Sequence, residues 1–310
     1  MSSVPATDTG PIHVTWPHRV RFVAGVALLW AGLHFVIDQT VLARGAERPV
    51  IIAVTQTGWL AAPATALLLW IGAFLATRLA GGRDGCSALL LVGFALSIWA
   101  TEGGTMDRWL VFKNEAVTPA GGTSAAYWPL IIEYVFLLAC VAGAALAGGL
   151  AALGTRARDA DARRRCLHET FADPTEAGWL RKGLTATVVT LAIAAPILMI
   201  LAGPRAAWTR HFQVIFATGA AFAVGTGLSV RLVGLARPMW YWIAPILLGV
   251  IGAIAAAVSP TLPQPHEGLS NIPSSALTRP LPVQMVGVGL VATIWAYRAA
   301  TQHPRRNEKS

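Results

Sequence analysis

Charge is scarce in this sequence. Asp, Glu, Lys and Arg make up 13% of its 310 residues, where a soluble domain carries about 25%. So little charge cannot clothe a water-soluble globule of this size. Cysteine is scarce as well. Cys86, Cys140 and Cys166 match no metal-binding spacing and no disulfide framework. Lysine is nearly absent, with 3 against 21 arginines. Together with abundant Ala and Gly, that imbalance reads as the coding habit of a GC-rich bacterium.

Familiar chemical signatures are missing too. The chain has no GxxxxGK[ST], no GxSxG, no HExxH and no CxxC. His168–Glu169 lacks the second histidine that a zincin helix requires. Paired histidines deep in apolar runs, as intramembrane haem needs, are also lacking, and only His34 comes near such a position. No cofactor is expected. The net charge of +9 does not point to nucleic acid, because the basic residues follow a loop pattern rather than forming one basic face.

What the chain has in quantity is apolar sequence, at 55% of residues. Eight runs lie near 20–42, 57–79, 86–104, 127–153, 183–203, 211–233, 239–259 and 283–300. Each is close to the ~20 residues that cross ~30 Å of hydrocarbon. The expected fold is an all-α polytopic transmembrane helix bundle of about eight spans. Residues 1–19 form a cytoplasmic tail, 20–153 the first four spans, and 154–182 a basic cytoplasmic loop. Residues 183–300 form the last four spans and 301–310 a second tail. The polar residues ahead of the first run, with no A-x-A-like site after it, predict an uncleaved anchor.

Lys and Arg set the orientation. With the N-terminus inside, 17 of the 24 basic residues fall on cytoplasmic segments and seven on outer ones. This bias predicts an N-in/C-in bacterial inner-membrane protein. Tryptophan agrees, since its ring prefers the headgroup level. Trp59, Trp99, Trp109, Trp128 and Trp208 fall near predicted outer ends, and Trp16, Trp179, Trp240, Trp242 and Trp295 near inner ends. Only Trp30 and Trp70 fall in mid-span.

Two longer segments face outward. In 104–126, the spacing of Met106, Trp109, Leu110 and Lys113 predicts a short helix on the membrane surface. The proline-rich 260–282 segment is expected to be extended. Gly219, Ala223 and Gly227 in the sixth run, and Gly249, Ala253 and Ala257 in the seventh, predict packing seams. Pro63, Pro196 and Pro245 predict kinks within spans.

The functional hint is the placement of acids and histidines. His34, Asp38, Glu102, Glu133 and His211 all fall toward the predicted outer side. His34 and Asp38 share a helix face. Interface pairing accounts for several members: Asp38 with Arg44 or Arg48, Glu102 with Arg108, and His211 among headgroups. Glu133, set in LIIEYVFLL, is too deep for that. A charged acid at such depth costs at least ~2.5 kcal/mol and asks for a partner, with His34, His211 and Arg108 as candidates. Three readings follow. The residues line a pocket that handles a small solute or cation during transport, or serve a subunit of a membrane complex. Alternatively, His34, Asp38, His211 and one Glu hold a metal for a hydrolase or transferase. Or the cluster is a polar network in an accessory subunit without chemistry. Expected partners are the lipid bilayer, a small solute or cation, and other membrane subunits, with no nucleic acid.

Overall fold

The computed structural model describes residues 16–41, 60–81, 85–103, 106, 109–110, 124–153, 178–203, 211–234, 237–258 and 275–302. Helix α1 (Trp16–Ala31) runs directly into a π-helix, Gly32–Val41. Then come α2 (Ala61–Ala80), α3 (Gly85–Thr101), α4 (Ser124–Leu153), α5 (Trp179–Leu201) and α6 (His211–Val233). The short α7 (Met239–Trp242) leads into α8 (Ala244–Val258), and a 3-10 turn, Ala276–Thr278, precedes α9 (Pro282–Gln302). No strand occurs among the described residues.

These elements coincide with the eight apolar runs. Among the described residues, seven helices are long and apolar enough to cross a membrane, and α3 is a shorter apolar helix over Cys86–Thr101. At 1.5 Å per residue, α3 spans roughly 25 Å, a little less than the hydrocarbon layer. Large apolar side chains face outward around the bundle, among them Ile200, Phe212 and Leu232 at more than 70% exposure. In water such surfaces would drive aggregation. Facing lipid tails, they are solvated. The protein is an integral, multi-pass membrane protein.

Successive helices alternate in direction, and contacts fix which ends meet. At one end, His18 lies against Gly81, Ala88 against Gly148, and Trp240 against Gly183. Arg298 donates to Ser87 Oγ there at 3.0 Å. Arg19, Arg21, Arg78, Arg181, Lys182, Arg231 and Arg237 lie toward the same end, which we call the basic end. At the other end, Gln213 Nε2 donates to Leu201 O at 2.9 Å, Arg279 Nη1 to Gly203 O at 3.4 Å, and His34 meets Glu102. The charge asymmetry expected from sequence therefore maps onto two physical ends of the bundle.

The core lies where α3, α4, α8 and α9 meet. Helix α9 packs on α3, α6 and α8, and 56% of its span is buried, against 28% for α1. The α3–α9 seam is closed by glycine. A β-carbon on Gly287 would stand 2.9 Å from Ser97 N and 3.0 Å from Leu96 Cβ, closer than real side chains approach. Several hydroxyls within spans return to their own helix. Thr65, Thr190 and Thr218 each donate to the carbonyl four residues earlier, which satisfies them without water. Ser229 crosses to Ala186 O at 2.9 Å, joining α6 to α5.

Several expectations change. Helix α5 starts at Trp179, so Arg181 and Lys182 belong to its first turn rather than to a loop. Met106, Trp109 and Leu110 are buried in the core, and Trp109 Nε1 donates to Ala126 O at 3.2 Å. They plug the bundle end instead of lying on the membrane surface. On α6, Gly219 does meet α9, but Gly227 faces open space. The close approach to α5 is made by Gly225, whose β-position lies 2.9 Å from Thr190 O. Pro63 sits in the first turn of α2, where a missing N–H is harmless. Pro196 lies inside α5, and Pro129 inside α4 adds a proline not singled out from sequence. The seventh run divides between α7 and α8 at Ile243, two residues before Pro245.

Candidate functional site

The two tryptophans that broke the interfacial pattern each have a polar task. Trp70 Nε1 donates to Cys140 O at 3.2 Å, bridging α2 to α4. Trp30 Nε1 donates to Glu102 Oε1 at 2.7 Å. A mid-span indole N–H has no water to bond, so it requires such an acceptor.

Glu102 holds a second partner. Its Oε2 lies 2.7 Å from His34 Nδ1. An ionised carboxylate only accepts, so Nδ1 carries the proton in this bond. The Trp30 and His34 rings stack at 5.4 Å between centroids and 20° between planes. Phe35 closes against the imidazole edge-on at 4.7 Å and 90°. One turn thus supplies an aromatic wall, and the end of α3 supplies the carboxylate. Both His34 and Glu102 remain 27% exposed. The pair is half-buried. The backbone here is π-helical, a wider winding often found where a side chain must be re-aimed at a site.

Glu133 occupies a different position. It is wholly buried on α4, and its interactions include electrostatic ones with the Tyr134 phenol and the Cys140 thiol. Its level follows from the helix register. Helices α3 and α4 are antiparallel, with Ala88 against Gly148. Equal steps of 1.5 Å per residue along both bring Glu133 level with the end of α3, about where Glu102 sits. Across the α3–α9 seam, where Gly93 faces Leu290 and Gly287 faces Leu96, the same level continues to the segment from Arg279 to Gln284. Arg279 is 5% exposed and Gln284 2%. Gln284 Oε1 accepts from Leu281 N at 3.0 Å. Among the described residues, Glu133 and Arg279 are the two charged side chains that are buried.

Three of the five sequence candidates have described side chains. His34 and Glu102 come together. Glu133 shares their level but hydrogen-bonds to neither, which removes His34 from its candidate partners. Asp38 lies on the π-helix and His211 opens α6, while their side chains fall outside the described residues. Arg108, Arg44 and Arg48 lie outside them too. Glu102 takes Trp30 and His34 as its partners, because α1 and α3 run parallel and end at one level. Among the described residues, no three His, Cys, Asp or Glu side chains converge as metal ligands.

Sequence reasoning missed two participants. Trp30 was visible as an anomaly of depth, and that anomaly was the signal. Arg279 was counted as a loop charge, with nothing in its proline-rich surroundings to mark it as buried. No known protein family, curated protein or solved structure matches the chain.

Proposed function

We propose that this protein transports a small solute or cation across a bacterial inner membrane, alone or as part of a membrane complex. The polar layer opposite the basic end is its binding region. The observation supporting this most strongly is Glu133, a carboxylate with no exposed surface on a membrane-spanning helix. Burying that charge is costly, and intramembrane acids are retained chiefly where they face an ion, a solute or a proton path. Glu102, His34, Arg279 and Gln284 at the same level supply the surrounding polarity. The arginine-heavy, Ala- and Gly-rich composition supports the bacterial assignment, and the basic end supports N-in/C-in orientation.

The test is uptake of ²²Na⁺ and ⁸⁶Rb⁺ into proteoliposomes. We expect wild-type protein to accumulate at least one tracer and Glu133→Gln to reduce that uptake at least tenfold while eluting as the same monodisperse species. Undiminished uptake by the variant refutes the role given to Glu133. A Glu133→Gln protein that no longer folds favours a purely structural network.

A further inference from the structure

His34 presents a ring nitrogen for which the described residues offer no hydrogen-bond partner. Its Nδ1 is committed to Glu102 Oε2 at 2.7 Å, and among the described residues Nε2 has no hydrogen-bond partner. Because Glu102 also accepts from Trp30, both carboxylate oxygens are fixed by N–H donors. Stacking on Trp30 and the edge contact with Phe35 fix the ring plane. The result is an imidazole held in one orientation, with Nδ1 on the carboxylate and Nε2 presented at a half-exposed position. Orienting one nitrogen with a carboxylate so that the other can take a proton or ligand is a general device of histidine chemistry.

Among the described residues, neighbouring elements add no other titratable group that faces His34. The described titratable residues of α2 reduce to Arg78, which lies at the basic end. Helix α3 contributes Cys86 at that same end, and Glu102 just past its other terminus is the group that faces His34. On the π-helix itself, Asp38 follows one turn later, its side chain outside the described residues.

We infer that the proton is the coupling ion of this transporter and that His34 Nε2 carries it. This rests on the transport reading of the preceding section. With Nε2 empty, the His34–Glu102 pair bears a charge of −1. With Nε2 protonated, it bears none. A cation arriving in the same polar layer is favoured by the first state and disfavoured by the second, so cation and proton compete. Exchange is electroneutral: one monovalent cation moves inward while one proton leaves the Nε2 lone pair and moves outward, and no covalent bond other than N–H is made or broken.

The experiment uses full-length protein in proteoliposomes containing an entrapped pH-sensitive dye, with an inward Na⁺ or K⁺ gradient and parallel ²²Na⁺ or ⁸⁶Rb⁺ uptake. The expected result is tracer uptake with alkalinisation of the interior, and loss of at least tenfold of the alkalinisation rate in His34→Gln. Tracer uptake without a dye response in wild type overturns the inference and leaves transport standing. Neither signal in wild type overturns the transport reading and this inference with it. A wild-type dye response in His34→Gln also overturns it. Should His34→Gln fail to fold, Trp30→Phe removes the indole donor from Glu102 and should slow alkalinisation severalfold. In wild-type protein in nanodiscs, ¹⁵N-histidine spectra should show a neutral His34 protonated on Nδ1 that gains a proton on Nε2 as pH falls. A His34 signal unchanged between about pH 5 and 9 sinks the proposal whatever the flux.

Discussion

Replacing Gly287 with alanine tests the central seam. The added carbon would stand 2.9 Å from Ser97 N, 3.0 Å from Leu96 Cβ and 3.1 Å from Leu96 C. Two of these atoms are backbone of α3, so no side-chain rotation relieves the contact, and α3 and α9 must separate. Overpacking of this kind costs about 1–3 kcal/mol, partly offset by alanine's helix propensity, worth about 1 kcal/mol over glycine. Gly227→Ala is the control. Its β-position has no neighbouring atom within 4 Å, so propensity acts alone and the variant should match or exceed wild type by up to about 1 kcal/mol. Reversible unfolding in mixed dodecylmaltoside–SDS micelles, followed by far-UV circular dichroism, should separate the two variants by about 1–3 kcal/mol. Equal stability of the two would mean that α3 and α9 do not pack as described. The contrast is sharp because sequence reading had marked Gly227, not Gly287, as part of a seam.

Two further outcomes are expected. In a double-mutant cycle, His34→Gln and Glu102→Gln should show a coupling of about 1–2 kcal/mol, the lower part of the range for charge-assisted hydrogen bonds because both groups are 27% exposed; additive effects would mean that the pair contributes nothing. On intact cells, a membrane-impermeant maleimide should label Leu60→Cys at the end opposite the basic one and spare His18→Cys at the basic end, with Cys86 and Cys140 protected by burial. The reverse pattern would invert the topology.

The helices were legible because lipid imposes a simple rule: a span needs length and apolarity, and seven of the eight runs fold into described helices with both, α3 being apolar but shorter. Which helix ends share the basic residues was legible too, since Lys and Arg cluster at alternate ends of the apolar runs. Packing was not. Gly219, Gly225 and Gly227 are equivalent in composition, and only the rotation of α6 about its axis decides that Gly225 meets α5 while Gly227 faces outward. The site was half legible. Depth picked out Glu133 and Trp30, because both violate the preference of their residue type. Which acid pairs with which histidine depends on where α1 and α3 end relative to one another, and no periodicity within a single helix carries that information. Arg279 stayed hidden because its burial is set by the return of the chain over Gly203.

The position of α9 has a consequence for synthesis. Chains emerge from their amino terminus and domains ordinarily fold as they appear, yet here the helix that fills the middle is made after the helices it packs against. Until Pro282–Gln302 is inserted, the α3 face bearing Gly93 and Leu96 and the α6 face bearing Gly219 and Phe222 lack the partner that will cover them. The earlier spans must therefore wait in the bilayer as a loosely associated set, and the final helix locks the bundle like a keystone. A chain that stops short of it would leave an open bundle for the cell's membrane proteases, whereas α1, α2 and α5, each with 28% of its span buried, lie nearer the margin.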